Sequence, residues 1–518
     1  MTVIDKFHRQ RGIIDQSKLE DLRVFLSGSS DSIAELVVLL RQLGVGEGDG
    51  CIGFHNDVTP ITTVFWQLMY PESRTLHSAS ESYRDVFKSL QRGQFDAEHW
   101  DIHLDLNNSS PDEQADLYGR VEGPRAFVST QMIPRVRNFS ESHPLSSAMR
   151  TATAAVMIER MLVQCQVSHA ITVSDAWYTL TCRIETTNLD EAKELVEGFE
   201  GEPLTLQPTS DGLATLARYR LRATSPGHPF SQIKISKKST QTEDWSVDVG
   251  LVEWDADFGA TDEPWIPKIN QIVILGAGGL GSWAAPLLAE QLETGTIHLI
   301  DGDESIELHN LNRQVLYGEE HIGLAKANVA VEQLERINPK VQFNGYNEYL
   351  LPHHLVVDND ENLEAFDLEE EPSENHLFGP LSKGQIYLAC LDNMRARTLL
   401  NEAAIEFDAV MINGAGEALS GVVERFHGNE GCMVCRYGSE TAYALEVVSC
   451  TEEGKRPIAS IVTTTAWVGA MMGAYALLEA GGPTSIQPDR IEWNRGTVNR
   501  IPIAAKPPWF NEDCSSHI

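Results

Sequence analysis

The feature that most constrains the fold is a short apolar run, Gln271-Ile-Val-Ile-Leu275. It passes at once into Gly276-Ala-Gly278-Gly279-Leu-Gly281-Ser282 and then into an Ala/Leu-rich helical pattern. Strand, glycine turn and helix in that order form the first unit of a parallel, nucleotide-binding sheet. A second apolar run, Thr296-Ile-His-Leu-Ile300, ends in Asp301, twenty-five positions after Gly276. Val341 to Tyr349 and Gln385 to Leu391 read as further strands, with Lys326 to Ile337 a helix between strands. This alternation predicts a doubly wound α/β sheet.

The same order recurs in worn form near the N-terminus, as Leu22 to Leu26, then Gly28, then the apolar helical run Ile33 to Leu40. Placing Gly28 on Gly276 puts Ser30, Asp31 and Ile33 where Gly278, Gly279 and Gly281 stand. The same twenty-five-residue step reaches Gly53 instead of an acid. The first copy keeps the fold signal without the nucleotide chemistry. Between the copies, Asp175 to Asp255 alternates strand-like runs (Trp177 to Cys182, Ala217 to Arg222) with a charged helix around Asn188 to Gly198. The expected organisation is an inactive domain at 1–170, a small α+β module or linker at 171–262 and an active domain at 263–518.

The 518 residues carry 75 acids against 40 bases, a formal charge of −35, which disfavours nucleic acid and anionic membrane surfaces as partners. The charged N-terminus, MTVIDKFHRQRGIID, lacks the apolar core of a signal peptide. Eight cysteines are too few for a disulfide scaffold in a chain of this length, and the expected compartment is the reducing cytoplasm. Pro457 to Leu478 is free of charge over 22 residues, but no basic flank follows it, so a buried helix is expected in place of a membrane span. Asp358 to Glu374 holds nine acids and no base and reads as a solvated insertion.

A lone glycine turn fits dinucleotide enzymes, ATP enzymes and structural turns alike. Further residues narrow the field: Asp301-Gly-Asp303, Asn310-Leu-Asn312-Arg313-Gln314, Gly323-Leu-Ala-Lys326 and, at a strand end, Asp392-Asn393. An oxidoreductase has little use for an Arg and a Lys beside its phosphate loop. An enzyme handling a triphosphate needs them to offset concentrated negative charge. An acid at a strand end can hold magnesium. Taken singly, Asp301 and Asp392 could equally cap helices, and Arg313 and Lys326 could be surface charges.

Together and in this order they resemble the ThiF/MoeB and ubiquitin-activating enzyme superfamily, over roughly residues 265–518. Gly276, Gly278, Gly279 and Gly281 match its glycine motif, Asp301 its ribose-binding acid, and Asn310, Arg313 and Gln314 its Asn-x-x-Arg-Gln segment. Lys326 matches its helix lysine and Asp392 its magnesium- and ATP-associated aspartate. The resemblance implies two adenylation folds paired as a pseudo-dimer. It also implies ATP and Mg2+ as ligands, and the joining of a protein's C-terminal glycine to AMP with loss of pyrophosphate. In Phe7-His8-Arg9-Gln10 it implies an arginine, Arg9, that crosses from the inactive half into the active site.

Gly431-Cys432-Met-Val-Cys435 and Cys514-Ser-Ser-His517 offer two ligand pairs for a tetrahedral structural zinc. The family carries two Cys-x-x-Cys pairs at comparable places, so His517 is a departure, and a zinc-free remnant or a mobile tail are the alternatives. Cys450 sits in the crossover segment Val447-Val-Ser-Cys450-Thr-Glu-Glu-Gly-Lys455-Arg456-Pro457. In compact relatives this cysteine accepts the activated carboxyl as a thioester and passes it to a conjugating enzyme. MoeB-type members hold a cysteine here without that need. The expectation is activation of a ubiquitin-like protein in a compact, bacterial-type version. Adenylation of a sulfur carrier is the nearest rival, and an NAD oxidoreductase and a scaffold are more distant ones.

Overall fold

A computed structural model describes residues 6–54, 63–70, 100–107, 114–132, 143–168, 177–184, 202–208, 215–222, 246–252, 254, 264–355, 377–427, 431–438, 460–483, 488–494, 497–502 and 514. The expected helix around Asn188 to Gly198, the acidic stretch Asp358 to Glu374, Cys450 with its flanking Lys455 and Arg456, and His517 lie outside the described residues.

The N-terminal half runs α1 (Gln16–Glu20), β1 (Arg23–Gly28), α2 (Ser30–Leu43), β2 (Cys51–Phe54), α3 (Val64–Met69), β3 (Ile102–Leu106), β4 (Leu117–Glu122), β5 (Arg125–Ser129) and α4 (Ser146–Gln164). Next come β6 (Trp177–Ile184), β7 (Glu202–Pro208) and β8 (Thr215–Arg222), an antiparallel sheet of order β6-β8-β7, and then β9 (Ser246–Asp248). The C-terminal half opens with β10 (Gln271–Leu275), α5 (Gly281–Gln291), β11 (Gly295–Ile300), α6 (Lys326–Ile337), β12 (Val341–Tyr346) and α7 (Phe378–Lys383). It continues with β13 (Ile386–Ala389), α8 (Met394–Glu406), β14 (Val410–Glu417), β15 (Ser420–His427), α9 (Met433–Tyr437), α10 (Val462–Glu479), β16 (Pro488–Asn494) and β17 (Thr497–Pro502).

The two large sheets share one plan. The first has the order β2-β1-β3-β4-β5-β9 and the second β12-β11-β10-β13-β14-β15-β16-β17. In each, the strand before the glycine turn pairs in parallel with both neighbours, and the sheet turns antiparallel beyond β4 or β14. Both turns make the same steric demand. Gly28 has φ +145° and Gly276 φ +95°, and a Cβ there would lie 2.0 Å from the Leu106 carbonyl oxygen or 2.4 Å from that of Cys390. Only glycine lets the chain leave the strand over the end of its neighbour.

Ser246–Asp248 falls inside the span 171–262 yet pairs with β5 at the edge of the first sheet, and Val249, Leu251 and Val252 join that sheet's core. The halves meet through α10, whose residues 462–478 are all buried and which packs on α4 of the first half and on α5, β14 and β15 of its own. A helix apolar on every side has no solvent face to offer, and the uncharged run is spent on this contact. No helix among the described residues is long and apolar enough to cross a membrane.

Candidate nucleotide-binding site

Three strand ends of the second sheet, a short turn and a helix start carry the candidate residues. After β10, Gly276–Leu280 leads into α5, so the first backbone N–H groups of an eleven-residue helix open onto the loop. Gly281 must be glycine because its Cβ would lie 2.0 Å from the Gly276 carbonyl oxygen, whereas at Gly278 the nearest atom to a Cβ, Gln314 Nε2, is 3.7 Å away. The backbone at Gly278 is thus open to a ligand. Two side chains beside the loop strengthen this reading: Gln314 Oε1 and Ser282 Oγ are buried without a hydrogen-bond partner among the described residues. Buried polar atoms are normally satisfied, so orphans at such a loop mark a place for a polar ligand.

After β11, Asp301 accepts from the Ala277 N–H at 2.6 Å and from the Asp303 N–H at 2.9 Å. This ties the acid to the glycine loop. Burial raises its pKa against the opposing pull of Lys326 and these N–H groups. Burial acts the same way on Asp303, but there the charge and hydrogen bond of Lys326 together with the Tyr349 hydroxyl outweigh it and hold the carboxyl below its usual range. Lys326, at the start of α6, is 6% exposed and forms a salt bridge with Asp303. Its helix start is fixed by a hydrogen bond from its own N–H to the Asp303 carbonyl at 3.1 Å.

Asn310 and Arg313 lie on a short buried turn. Asn310 Oδ1 accepts from the Glu307 N–H at 3.0 Å. Arg313 Nη1 donates to the His309 carbonyl at 2.6 Å and to Asn312 Oδ1 at 2.9 Å, while Trp283 Nε1 donates to the Arg313 carbonyl at 2.9 Å. Arg313 is therefore held at its backbone by Trp283 and at one guanidinium nitrogen by the turn itself. After β13, Asp392 is exposed, and the next residue, Asn393, caps α8 by accepting from the Ala396 N–H at 2.8 Å.

The first half reaches into this site. Arg9 is 8% exposed, and its carbonyl accepts from the Ser460 N–H at 3.2 Å. Neighbouring Gln10 is fully buried: its Nε2 donates to the Leu43 carbonyl at 2.7 Å, and its Oε1 accepts from Asn312 at 3.2 Å. The positive charges converge on His309, whose pKa is lowered to about 4 by burial and then by Arg313, Arg9, Lys326 and His8. In a chain of net charge −35 this is a local basic floor.

Sequence reasoning did not single out Tyr317, His309 or Tyr349, and it named Asn312 without a role. Tyr317 donates to the Ala277 carbonyl at 2.8 Å, bracing the loop from below. It sits four residues beyond Arg313 in an apolar run, which is no signal by itself.

A second cluster lies apart. The sulfurs of Cys435 and Cys514 are each 3.7 Å from that of Cys432, and all three lie within 4.8 Å of one another. Four ligands on zinc arms of about 2.3 Å would be about 3.8 Å apart, so the spacing fits one face of such a site. Burial pushes the Cys432 thiol up to about 12, as expected of clustered thiols that only a cation would ionise.

Fold and site together define a doubly wound α/β domain with basic side chains gathered beside its glycine loop, packed against a second, diverged copy of the fold. Residues 260–506 match the family model described as the ThiF family. The match places residues 260–506, just under half of the chain, with the ThiF family. The adenylyltransferase and sulfurtransferase UBA4 of Debaryomyces hansenii is 30% identical over 189 residues, which is 36% of this chain and 37% of the relative. Ubiquitin-like modifier-activating enzyme 5 of Dictyostelium discoideum is 31% identical over 212 residues, 39% of this chain and 50% of the relative. The aligned stretches thus span half or less of these two relatives' length. Among solved structures, E. coli MccB with ATP shares 20% identity, with 48% of this chain and 67% of that chain covered at a TM-score of 0.34.

Proposed function

We propose that the chain activates the C-terminal glycine of a ubiquitin-like protein, using ATP. The observation that carries this reading is the convergence of Arg313, Lys326 and, from the other half, Arg9 around His309, beside a glycine loop tied to Asp301. The names of the relatives, adenylyltransferases and a ubiquitin-like modifier-activating enzyme, support it.

In this reading the open backbone at Gly278 and the start of α5 cradle the phosphates, Gln314 supplies a further polar contact, and Asp301 holds the ribose. Arg9, Arg313 and Lys326 stabilise charge on the phosphates as it redistributes. Asp303 holds Lys326 in place, and Asn310 fixes the turn that carries Arg313. Asp392 would hold magnesium, which neutralises phosphate charge when bound. A glycine carboxylate oxygen attacks the α-phosphorus, the bond to the β-phosphate oxygen breaks, and pyrophosphate leaves. The Cys450 thiolate then attacks the carbonyl carbon, AMP leaves, and the thioester passes to a conjugating enzyme. Cys432, Cys435 and Cys514, with His517, would hold a structural zinc that braces the end of the domain. The second reading, a sulfur-carrier adenylator that stops at the acyl-adenylate, is favoured by the relatives named adenylyltransferase and sulfurtransferase.

Intact mass and non-reducing gels after incubation with Mg-ATP and a ubiquitin-like protein ending in glycine separate the two. An ATP-dependent, thiol-sensitive adduct that Cys450→Ala abolishes is the expected result. Pyrophosphate exchange without any adduct would assign the sulfur-carrier reading, and absence of both would overturn adenylation altogether.

A further inference from the structure

An aromatic ring stands exposed at the mouth of the basic site, and the chemistry above leaves it unused. Tyr349 follows β12 and is 63% exposed. Its hydroxyl donates to Asp303 Oδ1 at 3.0 Å. Its ring lies against Gly302, between the two site acids Asp301 and Asp303, where a Cβ would come within 2.5 Å of the ring carbons. Glycine at 302 is what admits the ring. Partial burial and the carboxylates Asp303, Asp301 and Asp392 push the hydroxyl pKa up to about 12, so it remains a donor at neutral pH. A large apolar face is thus held in one place in water by a bond at its tip and backbone contact along its side.

The sheet order states what that face is beside. Strand ends run β12, β11, β10, β13, carrying in turn Tyr349, Asp301, the glycine loop and Asp392. A nucleotide with its phosphates at the loop and its ribose on Asp301 directs its base away from the phosphates, toward the end of β12. We propose that Tyr349 is the platform on which the nucleobase stacks, making it a substrate-binding residue of the site. This rests on the nucleotide reading given above. Every base has a π-face, so such a platform contributes affinity for the base more than discrimination among bases.

The test is calorimetric titration of the full chain with Mg-ATP and, separately, with Mg-tripolyphosphate, which has the charge but no base. Tyr349→Ala should weaken Mg-ATP binding by about tenfold or more and leave tripolyphosphate binding unchanged. Tyr349→Phe, which keeps the ring against Gly302 and loses only the bond to Asp303, should retain most of the Mg-ATP affinity that Tyr349→Ala loses. Thermal melts of both variants establish that the fold is intact. Equal loss for both ligands in Tyr349→Ala would mean that the residue acts through Asp303 and Lys326, and would overturn the proposal. So would unchanged Mg-ATP binding in Tyr349→Ala, or a Phe variant as weak as the Ala one. If the unaltered chain binds tripolyphosphate but not Mg-ATP, the base platform is wrong while the basic floor stands. If it binds neither, the nucleotide reading falls first.

Discussion

His309 illustrates how much a single side chain reports about its surroundings. Its Nδ1 lies 3.0 Å from a Glu307 carboxylate oxygen, a contact that would ordinarily favour the imidazolium. Yet burial, Arg313, Arg9, Lys326 and His8 win and lower its pKa to about 4. At neutral pH the ring is therefore neutral. A triphosphate bound among these cations would offset their effect and raise the ring's pKa above that value. A group whose pKa is higher in the bound state takes up protons on binding, so affinity rises as pH falls from 7 toward 5. Calorimetry of Mg-ATP binding across that range, in two buffers of different ionisation heat, should show proton uptake that His309→Asn reduces. Identical uptake in both proteins would mean that the ring lies outside the phosphate field. Residues of this kind are half legible in sequence. Gly276, Asp301 and Lys326 stand out because phosphate chemistry restricts residue type and spacing at once. His309 and Tyr349 do not, since what matters in them is a neighbourhood assembled from distant segments.

At the scale of elements, the two sheets were foreseeable from apolar runs and glycine turns, and the return of β9 to the first sheet was not, because three residues of strand carry no readable period. The outer faces of the sheets differ in a way the pattern only hints at. In the second sheet Leu275 and Ala389 pair in register and lie in an apolar core with Leu381 and Leu400 of α7 and α8. At the equivalent place in the first, Ser27 pairs with Asp105, donates to its carboxylate at 2.6 Å and lies 2.8 Å from His103 Nε2. A polar face of this kind has no use for an apolar helix laid against it.

The helix layer between the halves holds another buried charge. Glu35 of α2 is 1% exposed and accepts from Thr151 Oγ1 of α4 at 2.6 Å. Its pKa is raised to about 7, chiefly by burial, with Arg150 and the Thr151 bond opposing and Glu290 of α5 and Asp31 adding to the rise. A carboxyl whose folded pKa is raised contributes stability that is complete below its ordinary pKa and lost as pH climbs to about 7. The loss is on the order of 3 kcal/mol. Glu35→Gln keeps an acceptor for Thr151 and cannot ionise, so the fall in melting temperature between pH 5 and pH 8 should shrink in the variant. A fall as steep as in the unaltered chain would show that some other group drives it.

At the scale of the whole molecule, the central question is why one chain keeps a copy of the fold that has lost its phosphate loop. In that copy Ser29 caps α2, with its side chain accepting from the Ser32 N–H at 3.4 Å, and Ile33 is buried in the first turn, so the loop is closed. What the copy supplies is a surface and two side chains. The α4–α10 contact and a hydrogen bond from Trp493 Nε1 to Glu159 at 2.7 Å fix the halves to each other. A relay then runs from the Leu43 carbonyl through Gln10 and Asn312 to the Arg313 guanidinium. Under the proposed function Arg9 and Gln10 would have separable roles, the first a charge and the second a brace. Gln10→Met removes the brace at similar size and leaves the buried Asn312 amide without its partner, which costs about 1–3 kcal/mol. Its melting temperature should fall, and its KM for ATP should rise as Arg313 loosens. Arg9→Met should instead lower the pyrophosphate-exchange rate while the melting temperature stays near that of the unaltered chain. Measuring both quantities on both variants decides the matter: a stable but slow Gln10→Met, or an unstable but fully active Arg9→Met, would reverse the assignment. If neither variant changes exchange, the first half serves only as packing for α10, and the second half works without its reach.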